Sequence, residues 1–141
     1  MKVAGSESLP EAPIVRRSVG LNGRMISYLV AGGPGAGAQP TVLLIHGSGV
    51  SARSWTNQLR GLGQVLRVLA IDLPGHGDSE AISEARLEAY ADAARGALDA
   101  LGTGPVFAAG HSLGGAVAQL FAARHPDAVT GLVLVSTCAR L

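Results

Sequence analysis

The sequence predicts an α/β fold of three layers, α/β/α, around a mostly parallel sheet of about six strands whose first hairpin is antiparallel. Three observations carry this. Short apolar runs alternate with stretches of helical periodicity. An Asn-Gly pair, the strongest short hairpin signal, separates the first two strand-like runs. A serine stands between glycines where an apolar run gives way to a helical stretch. The chain has 141 residues, enough for one domain with a real core, and 48% hydrophobic against 15% charged residues exclude a disordered chain.

Residues 1–13 read as a flexible lead-in, and 14–141 as a single core domain without a cap. Ile14–Val19 and Arg24–Ala31 are strand-like, joined by Gly20-Leu21-Asn22-Gly23. Gly32–Pro40 is a Gly/Pro/Ala connection; it lacks the Gly-Lys-Ser/Thr ending of a phosphate-binding loop and opens no helix. Thr41–Ile45 is a buried-type strand ending in His46-Gly47-Ser48-Gly49. Ser51–Gly61 is helical, with Trp55, Leu59 and Leu62 spaced for one face. Val65–Ile71 is a strand leading into Asp72–Ser79, whose glycines and proline suit a tight structural loop. The longest helix is expected over Ser83–Leu101, capped by Ser83, with Leu87, Tyr90, Ala94, Leu98 and Leu101 on its core face. Pro105–Ala109 is a strand, Leu113–Arg124 a helix stopped by Pro126, and Val129–Ser136 a last apolar strand. After the hairpin, strand and helix alternate strictly, which calls for right-handed crossovers and helices on both faces.

The net charge is +1 and no Lys/Arg run exceeds Arg16-Arg17, so neither nucleic acid nor an anionic membrane is an expected partner. No stretch approaches the ~18 apolar residues of a membrane span. The polar start lacks the apolar core of a signal peptide, so a cytoplasmic location is expected. The single cysteine, Cys138, excludes an intrachain disulfide and any Cys-rich zinc site, and is expected to pack inside as a small hydrophobe.

The chemistry centres on Gly110-His111-Ser112-Leu113-Gly114, followed by Gly115. Placed between a strand and a helix, this G-x-S-x-G pattern forces its serine into strained dihedrals, because so sharp a turn projects the hydroxyl clear of the sheet. The residues two positions either side pass close to one another, so glycine is required at 110 and 114. The helix beginning near Leu113 aims free N–H groups at developing negative charge.

At this point the sequence resembles the α/β-hydrolase superfamily over nearly all of residues 14–136. "GLNGRMISYLVAG" is similar to that family's first hairpin, and "VLLIHGSG" to its third strand and oxyanion loop. "VLAIDLPGHGDS" resembles the fourth strand and following loop, "AAGHSLGGAVA" the nucleophile elbow, and "FAARHPDAVTGLVLVST" the next helix and sixth strand. The resemblance implies that Ser112 is the nucleophile and that the backbone N–H groups of Ser48 and Leu113 form the oxyanion hole. Two such donors are worth about 2.7–4 kcal/mol each in a transition state. A serine at this position disfavours the relatives with an aspartate there, the haloalkane dehalogenases and epoxide hydrolases. The family places its acid and then its histidine after later strands, and neither is expected in a chain whose last residue is five beyond the sixth strand.

The histidine that activates Ser112 must then come from elsewhere. His125 lies about 18 Å along the helix that Ser112 starts. His111 adjoins the serine, but consecutive side chains diverge, so its ring is expected to point away. His46 and His76 stand at strand C-terminal ends, His46 on the neighbouring strand; His46 ranks first and His76 second, with a purely structural role open for both. A partner subunit is a third source.

The function expected is that of a carboxylic-ester hydrolase working through an acyl-enzyme on small, fairly apolar esters, with no cofactor or metal, at a shallow, open site. The alternative is a catalytically silent half-fold that needs a complementary fragment or serves in assembly. Because Leu132–Val135 is apolar at successive positions of an edge strand, a homodimer or higher oligomer through Val129–Ser136 is also expected.

Overall fold

A computed structural model describes residues 11–33 and 40–140. Residues 1–10 of the lead-in expected over residues 1–13, and most of the Gly/Pro/Ala connection, lie outside the described residues. Residues 11–13 are tied down: Ala12 donates its N–H to the Arg60 carbonyl at 3.2 Å, and Glu11 pairs with Arg60 at 3.4 Å.

Six strands form one sheet in the order β1-β2-β4-β3-β5-β6. β1 (Ile14–Leu21) and β2 (Arg24–Ala31) make the expected hairpin, turning through Asn22 and Gly23, both at positive φ. β2 pairs antiparallel with β4 (Arg67–Ile71), and β4, β3 (Thr41–Ile45), β5 (Val106–His111) and β6 (Val129–Val135) run parallel. Alternate residues of the central strands feed two cores. One contains Leu43, Ile45, Leu69, Val106 and Ala108 against α2 (Leu87–Ala100) and α3 (Leu113–Arg124). The other contains Leu44, Val68, Ala70 and Ala109 against Ala52 and Leu59, the latter in α1 (Thr56–Leu62). The layers are therefore helix, sheet and helix, as expected.

Several element bounds differ, β1 running on to Leu21 and β5 to His111. A 3-10 turn, Ala52–Trp55, occupies the start of the first predicted helix. The strand expected from Val65 begins at Arg67. The long helix begins at Leu87 with Arg86 at its N-cap and no side-chain cap, so Ser83 does not start it. The reason lies upstream: Glu80 donates its N–H to the Met25 carbonyl at 2.9 Å, and Arg24 reaches the Ala81 carbonyl. Held against the hairpin, this segment must travel further before it can coil. The core face of α2 is as predicted, with Tyr90, Ala94 and Leu98 buried. Cys138 is exposed rather than packed inside; it lies past β6, where its sulfur meets Gln119 and Thr137 at 3.9–4.0 Å.

Candidate active site

β5 ends at His111 and α3 begins at Leu113, so Ser112 alone makes the turn. It takes φ 53°, ψ −118°, a conformation costing on the order of 1–3 kcal/mol. Its backbone is fully engaged. Ser112 donates its N–H to the Val135 carbonyl at 3.1 Å, and its own carbonyl accepts from Gly115 N–H at 2.9 Å and Thr137 Oγ1 at 2.6 Å. The glycines do what the sequence requires. A Cβ on Gly110 would stand 2.1 Å from the Gly114 carbonyl oxygen, and one on Gly114 would stand 2.1 Å from that of Ile45. Both contacts are with backbone that cannot yield. Ser112 itself is exposed.

The loop after β3 runs beside this elbow. A Cβ on buried Gly47 would lie 3.4 Å from Ser112 Cβ. Ser48, the next residue, is exposed, and Leu113, first residue of α3, has no intrahelical acceptor for its N–H. The two expected oxyanion donors are therefore carried by residues adjoining Gly47 and Ser112.

The four histidines separate clearly. His46 is fully buried; its Nε2 accepts the Leu73 N–H at 3.0 Å and its Nδ1 faces the Gly47 carbonyl at 2.7 Å. That pattern fixes a neutral ring with its proton on Nδ1 and leaves no nitrogen for a serine, which removes His46 as a base. Burial holds its pKa below the ordinary imidazole value, against the opposing pull of the Gly47 bond; neighbouring His76 pushes the same way as burial. His76 is half-buried, with Nδ1 3.1 Å from the Pro74 carbonyl and its ring 5.0 Å from that of His46. A proton on Nδ1 leaves its Nε2 lone pair open. The ring of exposed His111 lies beside the loop after β3, with its Nδ1 3.3 Å from the Gly47 Cβ position. His125 is remote, as expected, bound to Asp92 at 3.2 Å and packed on Phe121.

The Asp72–Ser79 loop is structural, and it is organised by a group the sequence does not single out, the Asp72 side chain. The Asp72 carboxylate is fully buried and accepts from Ala52 N–H at 2.8 Å, Asp78 N–H at 3.1 Å and Arg16 at 2.9 Å. Burial alone would raise its pKa, yet the two backbone donors and Arg16 hold the carboxyl below the usual range. An acid directly after a strand and ahead of a glycine-rich loop is the signal by which the sequence could have disclosed it. A cavity of about 730 Å³, lined by Val15, Arg17, Tyr28 and Arg67, lies at the opposite end of the sheet and takes no part in this site.

Fold and elbow together define a class: an α/β protein with a strained, exposed serine between a parallel strand and a helix. The particular family follows from comparison. A family model described as alpha/beta hydrolase fold matches residues 40–140, and the chain belongs to that family. It is 42% identical over 100 residues to a pimeloyl-[acyl-carrier protein] methyl ester esterase of Neisseria meningitidis, covering 71% of this chain and 38% of the relative. A bacterial membrane phospholipase A superposes with a TM-score of 0.81 at 35% identity, covering 89% of this chain and 40% of that structure. A thermophilic esterase superposes with a TM-score of 0.78 at 36% identity, covering 92% of this chain and 47% of that structure. The chain thus spans less than half the length of each. Among the described residues no helix is long and apolar enough to cross a membrane, and no cluster of His, Cys, Asp and Glu could hold a metal ion.

Proposed function

We propose that this chain carries the nucleophile of a cytoplasmic carboxylic-ester hydrolase acting on small, fairly apolar acyl esters. The observation that carries the reading is the backbone of Ser112, held at positive φ, exposed, and flanked by Gly47 and the start of α3. Relatives that are esterases favour ester chemistry over the fold's other reactions. Ser112 Oγ attacks the acyl carbonyl carbon while an imidazole takes its proton, and the oxyanion is held by the N–H groups of Ser48 and Leu113. Collapse expels the alcohol, which takes the proton back, and water then releases the acid from the acyl-enzyme by the same steps. His76 and His111 are the imidazoles of this chain with a nitrogen to offer. Hydrolysis of a p-nitrophenyl short-chain ester, measured beside Ser112→Ala, tests the reading: equal rates would end it.

β6 favours a second reading, a half-fold that is silent until something covers it. Leu132, Val133, Leu134 and Val135 are 39–52% exposed on both faces of an edge strand, the kind of edge that natural sheets protect. We propose that two copies pair antiparallel along β6, giving a dimer. Light scattering at micromolar concentration should return twice the chain mass, and Val133→Lys should restore the monomer; a monomeric wild-type mass refutes the pairing.

A further inference from the structure

We propose that Asp72 is a positioning residue that sets the oxyanion loop against Ser112; this rests on the serine-hydrolase reading of the site. The loop between β3 and the 3-10 turn comprises residues 46–51. Its middle residues Ser48, Gly49 and Val50 are exposed and bury no side chain that could fix them. The direction of the Ser48 N–H is therefore decided at the two ends of the loop. One end is His46-Gly47, pinned through the His46 ring to Leu73. The other is Ala52, whose buried N–H is given to Asp72 Oδ1 at 2.8 Å.

Asp72 is itself immovable. Its N–H is bonded to the Ser27 carbonyl at 2.9 Å, and its carbonyl accepts from Ser79 Oγ at 2.7 Å. Its second carboxylate oxygen takes Asp78 N–H and Arg16, and Arg16 also binds the Ser27 hydroxyl and the Asp78 carboxylate. Gly77 closes over the group: at φ +52°, a Cβ there would fall 2.4 Å from the carboxylate. One ionised group thus joins β1, the end of the oxyanion loop and the loop that carries His76, and through Arg16 it reaches β2. Both loops are referred to a single point, and a misplacement of about 1 Å at such a point can cost a hundredfold in rate.

Asp72→Asn tests this, because an amide cannot accept from all three donors. Two quantities are read on folded protein: amide exchange residue by residue, and the rate at which a fluorophosphonate labels Ser112. Exchange should accelerate at residues 47–52 and 73–78 while α2 and β5 are unchanged, and labelling should slow about tenfold or more. Ser79→Ala is the comparison. It removes buried hydrogen bonds from the same loop but spares the carboxylate, so it should lower the melting temperature and leave the labelling rate within about twofold. If Asp72→Asn does not fold, Arg16→Gln, which deletes one of the three donors, is read in the same way. Uniform acceleration of exchange, or unchanged labelling in a locally loosened loop, overturns the proposal. Wild-type protein that takes no label at Ser112 sinks the serine-hydrolase reading instead, and exchange alone then decides whether the carboxylate holds the loop.

Discussion

Leu73 donates its backbone N–H to His46 Nε2 at 3.0 Å, inside a core where the imidazole is fully buried. Only the neutral ring can accept that bond, and burial depresses its pKa accordingly. The unfolded chain protonates its imidazole near pH 6.5 while folded His46 resists. Its contribution to stability is therefore complete above about pH 6.5 and is lost as pH falls from there towards the lower folded pKa. Urea midpoints at pH 5 and 7.5 should differ for the wild type, and by less in His46→Gln. Asp72, a depressed carboxylate, adds a separate loss in more acid solution, below the ordinary carboxylate pKa of about 3.9.

Gly114→Ala should be far worse than Gly49→Ala. The first places a methyl 2.1 Å from the Ile45 carbonyl oxygen, whereas nothing lies within 4 Å of the second. Overpacking against backbone should cost about 3 kcal/mol or more, and the positive φ of Gly49 only about 1–2. Chemical denaturation orders the two variants, and a mild Gly114→Ala would refute the packing at the elbow.

Ser112→Gly should raise stability while ending reactivity. Glycine relaxes the φ 53° conformation, recovering about 1 kcal/mol or more. A higher melting temperature with no phosphonate labelling is the expected pair of results. In the wild type, the label should add once per chain, at Ser112 and not at Ser48, Ser79 or Ser136.

The base is found by changing His46, His76, His111 and His125 to Gln in turn and measuring kcat on folded protein. His76→Gln or His111→Gln should cost about a hundredfold. His125→Gln, whose ring is engaged by Asp92 at the far end of α3, should cost nothing. Undiminished activity in all four variants would place the base outside this chain.

The strands, the hairpin turn and the elbow were legible because each is dictated locally: Asn22-Gly23 by positive φ, Gly110 and Gly114 by crowding, β3 by its apolar run. What was not legible depends on partners distant in sequence. The start of α2 is delayed by contacts with Met25 and Arg24. The spacing of His46 resembles that of a base as well as a structural residue, and only Leu73, 27 positions on, decides between them. Asp72 is one more turn residue by sequence, and its role depends on Arg16, 56 positions away.

The insertion of β4 between β2 and β3, and of β3 between β4 and β5, also has a consequence during synthesis. Thr41 pairs with Val106, so the ribosome must add about 65 further residues before β3 has its second neighbour. At about 5–20 residues per second that is roughly three to thirteen seconds. Throughout it, Val42–Ile45, destined to be covered on both faces, keeps the edge that β5 will take unpaired. A holdase that grips short apolar segments should find its principal site on the nascent chain there.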